Sequence, residues 1–326
     1  MRAGIIGIGK MGLLHTSILS TFPNVEVVGI CDKSKLIAKF ARKVFDEIQI
    51  VNSIDKLKDL ELDLIYVTTP ILSHSKIIQT IYSGKIAPNV FVEKTLASSL
   101  DDAKKVCELA EKSGGVNMVG YERRHAVTFN KAYELIQQDA IGRLLSFKAY
   151  AFSSDFLELD AEKGLQASTS RCGLLRDLCS HAIDLSVWFF GDLKVISAQL
   201  KNRKNSEFEE WLTFTVESNT GINGSVEGSW CMKGYRLPEI GLKLIGSEGT
   251  LCVNDDEISI RNNSGALTKW YRLNLNDNVG FLLGAPEYYR ESKHFVNCIS
   301  NGHSAEPSFK TALKVEETIE LVRKSF

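Results

Sequence analysis

Four places in the chain combine polar side chains with a spacing that could do chemistry. Gly7-Ile8-Gly9-Lys10-Met11-Gly12 is followed, twenty residues after Gly12, by Asp32. Glu93-Lys94-Thr95 closes a short apolar run, and Glu122-Arg123-Arg124-His125 closes another. Asp177, His181 and Asp184 stand at i, i+4 and i+7. On a helix those three share one face, so a carboxylate can fix the tautomer of the imidazole and raise its basicity. A lysine at the end of a buried strand can meet a substrate oxygen. Each feature also has a plain structural reading. Lys94 could be a solvated lysine or a partner for Glu93, and His181 a satisfied, partly buried histidine.

The elements around the glycines give them separate jobs. Ala3 to Ile6 reads as a buried parallel strand. Gly7 allows the tight turn off it, Gly9 lets the backbone approach a pyrophosphate, and Gly12 lets the next helix pack close. The helix N-terminus offers free N–H groups and a positive dipole end to phosphates. Val25 to Ile30 is a second strand, and Asp32 stands where a carboxylate can accept both ribose hydroxyls of an adenosine. The spacing predicts dinucleotide binding. A methyltransferase nucleotide site is the nearest rival, since it also ends its second strand with an acid.

Strand and helix signals then alternate as far as Gly120. Ser34 to Phe45 is predicted helical, with Leu36, Ile37, Phe40, Ala41 and Val44 on one stripe. His74 to Tyr82 is another helix, and Ser99 should cap a further one, with Asp102 at its third position. This is the pattern of a doubly wound parallel sheet, the Rossmann arrangement, assigned to residues 1–122. Thr68-Thr69-Pro70, Glu93-Lys94-Thr95 and Glu122 to His125 all fall at the carboxyl ends of its strands, where such sheets bind ligands. Residues 123–326 read as an α+β domain with a mostly antiparallel open sheet. Residues 155–171 read as an irregular loop, Gly173 to Phe190 as a strong helix, then seven strands between 194 and 273, then two closing helices. The fold class is therefore α/β with a second α+β domain.

Composition narrows the function classes. With 326 residues, two domains are expected. A net charge of −1 without a basic stripe argues against nucleic acid as a partner. No apolar run is long enough to span a membrane, and the N-terminus opens directly in a strand, without a signal peptide. Seven cysteines without C-x-x-C pairing suit reduced thiols in a cytoplasm. No zinc-ligand spacing is present, so no metal is expected.

Taken together, these motifs resemble the glucose–fructose oxidoreductase, inositol dehydrogenase and rhizopine-catabolism (Gfo/Idh/MocA) family over essentially the whole length. The resemblance rests on Gly7 to Gly12, Thr69-Pro70 with His74, Glu93-Lys94, Gly120-Tyr121-Glu122-Arg123-Arg124, and Gly173-Leu174-Leu175-Arg176-Asp177-Leu178-Cys179-Ser180-His181-Ala182-Ile183-Asp184. It implies an NAD-dependent dehydrogenase, with NADP possible, acting on a secondary hydroxyl of a sugar or cyclitol. The implied catalytic residues are Lys94, Asp177 and His181. Gly7, Gly9, Lys10, Met11, Gly12, Asp32, Thr69, Pro70, His74, Glu93 and Lys94 would bind cofactor. Arg124, Arg171, Asp177 and His181 would meet substrate. The resemblance also implies a homodimer or homotetramer, formed through the second domain's sheet.

Three departures stand out. The family's Glu-Lys-Pro is Glu93-Lys94-Thr95, its usual Gly-Phe-Asn-Arg-Arg is Gly120 to Arg124 with Glu122 in the asparagine's place, and its glycine run before the helix is Ser170-Arg171-Cys172-Gly173. A cis bond is common before that proline but costs about 3 kcal/mol before threonine, which points to a trans bond and a differently aimed Lys94. Arg123, Arg124, Arg171 and Arg176 leave open a sugar-phosphate or nucleotide-sugar substrate. A non-catalytic dinucleotide sensor is the other alternative.

Overall fold

The run after Met1 forms β1 (Arg2–Ile6), and the glycine turn leads into α1 (Lys10–Leu19). The rest of the alternation follows as β2 (Glu26–Cys31), α2 (Lys35–Val44), β3 (Gln49–Val51), β4 (Leu64–Val67), α3 (His74–Gly84), β5 (Asn89–Glu93), α4 (Leu100–Ser113) and β6 (Asn117–Gly120). The computed structural model describes residues 1–45, 47–204, 206–277 and 286–326. These six strands form one parallel sheet in the order β3-β2-β1-β4-β5-β6. The order reverses between β1 and β4, which makes the switch point where doubly wound sheets take ligands. Every residue of β4 is buried, as a central strand covered by helices on both faces requires. Ser99 caps α4 as expected, its hydroxyl accepting the Asp102 N–H at 3.2 Å.

One packing expectation is corrected. Of the expected stripe Ala41 is buried and Ile37 half-buried, but Leu36, Phe40 and Val44 point outward, at 78%, 55% and 51% exposure, and Ala38 is buried beside Ala41 instead. The two small residues let the helix lie close, and the larger side chains then fall on the far side.

The second half supplies α5 (Val127–Gln137), β7 (Leu144–Phe152), α6 (Ala161–Ser170), α7 (Ser180–Phe190), β8 (Leu193–Asn202), β9 (Glu209–Ser218), β10 (Asn223–Ser229), β11 (Glu239–Gly246), β12 (Gly249–Asn254), β13 (Glu257–Asn262) and β14 (Leu267–Tyr271). The sheet order is β14-β13-β12-β11-β7-β10-β9-β8, antiparallel except for β7 beside β10. Phe147, Ala149, Ala151, Phe214, Val226, Ile240, Leu242 and Leu244 form a buried inner face. The α7 helix packs there, with Phe190 stacked on Phe147 at 4.0 Å between ring centroids. Phe214 and Trp230 are each 1% exposed, whereas Trp211 lies on the open face and donates its indole N–H to Glu227 at 2.7 Å.

Two expectations about this half are corrected. Residues 161–170 are a helix, not a loop: Asp160 caps α6 by accepting the Lys163 N–H at 2.8 Å, and Gly164 packs against Phe208. Periodicity was masked there by serines, threonines and charges. The expected single helix from Gly173 opens with a π-turn, Leu175–Cys179, before α7 proper.

Two helices close the chain, α8 (Pro286–Asn301) and α9 (Phe309–Arg323). The chain divides into two compact units. The first takes the described residues 1–121 and 286–316, the second 122–277 and 317–326. So α8 joins the parallel-sheet unit rather than the second domain. Tyr289 meets Phe22 at 5.2 Å between centroids, and Phe295 meets both Tyr66 and Phe91 at 5.8 Å. No helix among the described residues is long and apolar enough to cross a membrane.

Candidate functional site

In the first unit the glycine turn is built by close contacts. Gly7 has φ +92°, a left-handed conformation that glycine adopts freely, and its N–H donates to the Cys31 carbonyl at 2.8 Å. A Cβ on Gly12 would stand 2.0 Å from the Gly7 carbonyl oxygen. The Thr68 hydroxyl, at the end of β4, donates to the carbonyls of Gly7 at 2.6 Å and Ile6 at 3.1 Å, locking the turn. A Cβ on Gly9, by contrast, would meet nothing within 4 Å. That open space lies at the N-terminus of α1, so the residues fit a pyrophosphate laid against the backbone. Lys10 is exposed and Met11 half-buried beside it.

Asp32 sits just past β2. Its carboxylate accepts the Ile8 N–H at 2.9 Å and the Ser34 N–H at 2.8 Å, which fixes it beside the glycine turn. Cys31, Lys33, Ile54, Ser73, Lys76 and Ile77 line a cavity of about 240 Å³ at the ends of these strands.

Thr69 and Pro70 follow β4 and are partly or fully exposed. His74 is wholly buried instead, with Nε2 2.7 Å from the Thr69 carbonyl oxygen and Nδ1 2.8 Å from that of Thr95. It ties the loop after β4 to the loop after β5 and offers no free nitrogen, so its role is support for those loops. Burial holds its pKa below the ordinary value, against the pull of the two carbonyls.

Glu93 likewise faces inward. Its Oε1 is 2.8 Å from Nε2 of His15, a fully buried residue of α1 whose Nδ1 lies 3.3 Å from the Ser292 hydroxyl of α8. The imidazole packs between Tyr66 and Phe91, each 5.1 Å away. This buried contact joins α1 to the strand end that carries Lys94. His15 was missed in the sequence, where a lone histidine in an amphipathic helix gives no signal. The Lys94–Thr95 peptide bond is cis, in contrast to the trans expectation.

In the second unit the helix from Gly173 carries the other candidates. Gly173 has φ +87°, and the adjacent Leu174 N–H donates to Glu209 at 2.6 Å. Burial pushes the Glu209 carboxyl pKa up, against the pull of that N–H and of Arg323. Asp177 lies within the π-turn, a feature often found at functional sites. Its Oδ2 is 3.5 Å from Nη1 of Arg171, which also reaches Asp155 at 3.3 Å. Arg171 and Asp177 are thus brought together.

The carboxylate facing the His181 ring is Glu122, whose Oε2 stands 3.8 Å from Nδ1. Asp177 meets Arg171; Glu122 is a further carboxylate at the imidazole that the spacing in the sequence did not point to. Glu122 opens a short turn after β6, so only the tertiary fold brings it to the helix.

Arg124, expected at the substrate, is 8% exposed and forked onto Asp184, with Nε 2.8 Å from Oδ2 and Nη2 2.7 Å from Oδ1. Arg123 contacts Glu122 at 2.5 Å and Asp255 at 3.1 Å. Both guanidinium groups thus meet carboxylates within the unit. Among the described residues, no group of three or more histidine, cysteine or acidic side chains could hold a metal ion.

Comparison with known proteins gives the family. Residues 1–121 match the family model described as "Oxidoreductase family, NAD-binding Rossmann fold", and residues 129–252 match the "GFO/IDH/MocA C-terminal domain". The chain is 25% identical over 314 residues to scyllo-inositol 2-dehydrogenase (NAD(+)) of Bacillus subtilis (strain 168), covering 93% of this chain and 87% of that protein. Among solved structures, an NAD binding oxidoreductase from Klebsiella pneumoniae superposes with a TM-score of 0.87 at 17% identity, covering 100% of this chain and 96% of that one. Levoglucosan dehydrogenase in complex with NADH and L-sorbose does so with a TM-score of 0.86 at 21% identity and the same coverage. At those identities the likeness is one of fold. With both of its parts matched by the family's two models, the chain belongs to the Gfo/Idh/MocA family of NAD-binding oxidoreductases.

Proposed function

We propose that this protein is an NAD-dependent dehydrogenase that oxidises a secondary hydroxyl of a sugar or cyclitol, or reduces the matching ketone. The observation that carries the reading is the buried His181, set opposite a carboxylate on a helix that also bears Asp177. A dinucleotide sensor would have no use for it. Gly7, Gly9, Lys10, Met11 and Gly12 would hold the pyrophosphate, and Asp32 the adenosine ribose. Thr69, Pro70 and the Lys94 loop would line the nicotinamide end, supported from beneath by His74 and Glu93. Hydride transfer at the nicotinamide C4 is the chemistry NAD supplies when bound.

The chain's own part is the proton and the charge. In oxidation His181 takes the hydroxyl proton as the hydride leaves. Lys94 hydrogen-bonds the same oxygen and stabilises its developing negative charge. Asp177, with Arg171 beside it, holds neighbouring hydroxyls of the substrate. Support for a carbohydrate comes from the relatives, one an inositol dehydrogenase and another a levoglucosan dehydrogenase whose structure holds L-sorbose. The seven unbridged cysteines support a reducing, cytoplasmic location.

We also propose a homodimer or homotetramer, formed through the open face of the eight-stranded sheet. That face carries Lys148, Tyr150, Glu227 and Lys243 around a cavity of about 380 Å³. A monomer in light scattering at micromolar concentration would overturn this assembly. The activity is tested by incubating the protein with NAD and a panel of cyclitols, aldoses and sugar phosphates while following nicotinamide absorbance. Turnover of a cyclitol or free sugar is expected. NADH binding without turnover of any member would favour the sensor instead.

A further inference from the structure

Glu122 stands where the family's usual pattern has asparagine, and the structure shows what the extra charge faces. Glu122 is 5% exposed and His181 8% exposed, and Oε2 of the one lies 3.8 Å from Nδ1 of the other. The second carboxylate oxygen, Oε1, is held by Nη1 of Arg123 at 2.5 Å. Arg123 in turn gives Nε and Nη2 to Asp255, at 3.1 and 3.3 Å. The guanidinium is therefore shared between two carboxylates. The other oxygen of Glu122, Oε2, faces the imidazole.

The other charged groups around His181 are accounted for differently. Asp184, on the same helix, is neutralised by the fork of Arg124. Asp177 faces Arg171, and its side chain is 20% exposed against 6% for Glu122, so water screens it more. Arg176 precedes Asp177 and is itself buried. Cys179 is buried, and burial pushes its thiol pKa well up, so it stays neutral. The strands packed beneath α7 present Phe147, Ala149, Ala151, Ile240, Leu242 and Leu244, none of them ionisable.

We propose that Glu122 is a positioning residue for His181: it holds the Nδ1 side of the ring, leaves Nε2 as the proton-accepting atom, and stabilises the imidazolium formed in oxidation. The proposal rests on His181 being the general base. An opposite charge within about 4–6 Å favours the charged form of an ionisable group. At 3.8 Å the contact is longer than a hydrogen bond, and such contacts often tighten only when substrate is bound. An asparagine at the same place could orient the ring but would carry no charge, so this chain's imidazole is the more basic.

The test is the pH profile of kcat/KM for NAD-linked oxidation of a substrate found by the panel, in wild type, Glu122→Gln, Glu122→Asn and Asp255→Asn. Oxidation needs neutral His181, so the rate rises with pH through its pKa. Glu122→Gln and Glu122→Asn should lower that midpoint by about one unit or more. Asp255→Asn should lower it too, since Arg123 is then free to neutralise Glu122, although neither Glu122 nor His181 is touched. NADH affinity and Tm are controls for a merely structural effect. A direct reading comes from the NMR titration of the His181 ring in ¹³C-histidine protein, assigned with His181→Ala, which needs no turnover. A midpoint unmoved in folded Glu122→Gln and Asp255→Asn overturns the proposal. Wild-type turnover in His181→Ala overturns the reading beneath it, a separate result.

Discussion

The carbonyl oxygen of Gly7 occupies the place where a side chain on residue 12 would begin, 2.0 Å from an added Cβ. Gly9, three residues earlier, has open space there and a φ of −73° that alanine adopts readily. The two glycines should therefore fail differently. Gly12→Ala must push α1 off the turn, with an expected loss of about 1–3 kcal/mol and of NADH affinity together. Gly9→Ala should leave stability within about 0.5 kcal/mol and weaken NADH alone, because its Cβ enters the space meant for the pyrophosphate. Melting temperatures and fluorescence titration with NADH check the pair. Equal Tm losses would show that the space at Gly9 is not what it is taken for.

Asp32 should decide between the two nicotinamide dinucleotides. Its carboxylate is held by the N–H groups of Ile8 and Ser34, so it cannot swing aside for a 2′-phosphate. NAD is expected to give the higher kcat/KM, and Asp32→Ala should narrow the gap by lowering the NAD value. Lys33 and Lys76 line the neighbouring cavity and pull the other way. A wild-type preference for NADP would mean the lysines prevail.

The parallel-sheet half was the more legible in the sequence, for a physical reason. Its signals are local: a glycine turn, an acid at a fixed distance, strands buried on both faces. The expected Ser99 cap is present because a cap is settled within four residues. At the candidate site, the long-range pairings were not legible. Asp177 and His181 share a helix, and Glu122, far away in sequence, faces the ring as well. Arg124 could be read as an anion contact or an ion pair, and nothing in the sequence says that Asp184 will meet it. The α6 helix was hidden because a polar surface helix buries too little to show a period. The π-turn has no pattern of its own to read.

The Arg124–Asp184 pair makes its own prediction. Both side chains are almost fully buried, 7% and 1% exposed, and two hydrogen bonds join them. Removing one partner leaves a buried charge uncompensated, at a cost of about 3–5 kcal/mol. Arg124→Ala should thus lower the unfolding midpoint in urea sharply. If it instead raised only the KM for substrate and left stability intact, Arg124 would be a substrate contact after all.

Lys94 and His181 carry the chemistry in the proposed function, and their replacement should separate catalysis from binding. The cofactor is expected to be gripped by the glycine turn and Asp32, both remote in sequence from His181. His181→Ala should therefore lower kcat by a factor of about 10² to 10⁴, with NADH affinity nearly unchanged. Lys94→Ala should lose a similar factor if its ammonium stabilises the alkoxide. Steady-state rates beside NADH titration measure both. A Lys94→Ala enzyme with wild-type kcat would leave the alkoxide without its assigned cation.

The contact at the start of the helix that bears Asp177 and His181 should make stability depend on pH. Glu209 accepts the Leu174 N–H at 2.6 Å, and burial raises its carboxyl pKa above the ordinary glutamate value. With the folded pKa above the unfolded one, the folded state holds the proton more tightly. The stability this supplies is complete below the unfolded pKa, near pH 4, and is lost as pH rises through the raised folded value. Glu209→Gln keeps an oxygen for the Leu174 N–H and removes the titration. Relative to wild type, the variant should therefore gain stability from pH 4 to pH 7.5. Thermal unfolding of both proteins across that range gives the difference directly. A stability difference that stays flat with pH would show that Glu209 is charged in the folded protein as readily as in the unfolded chain.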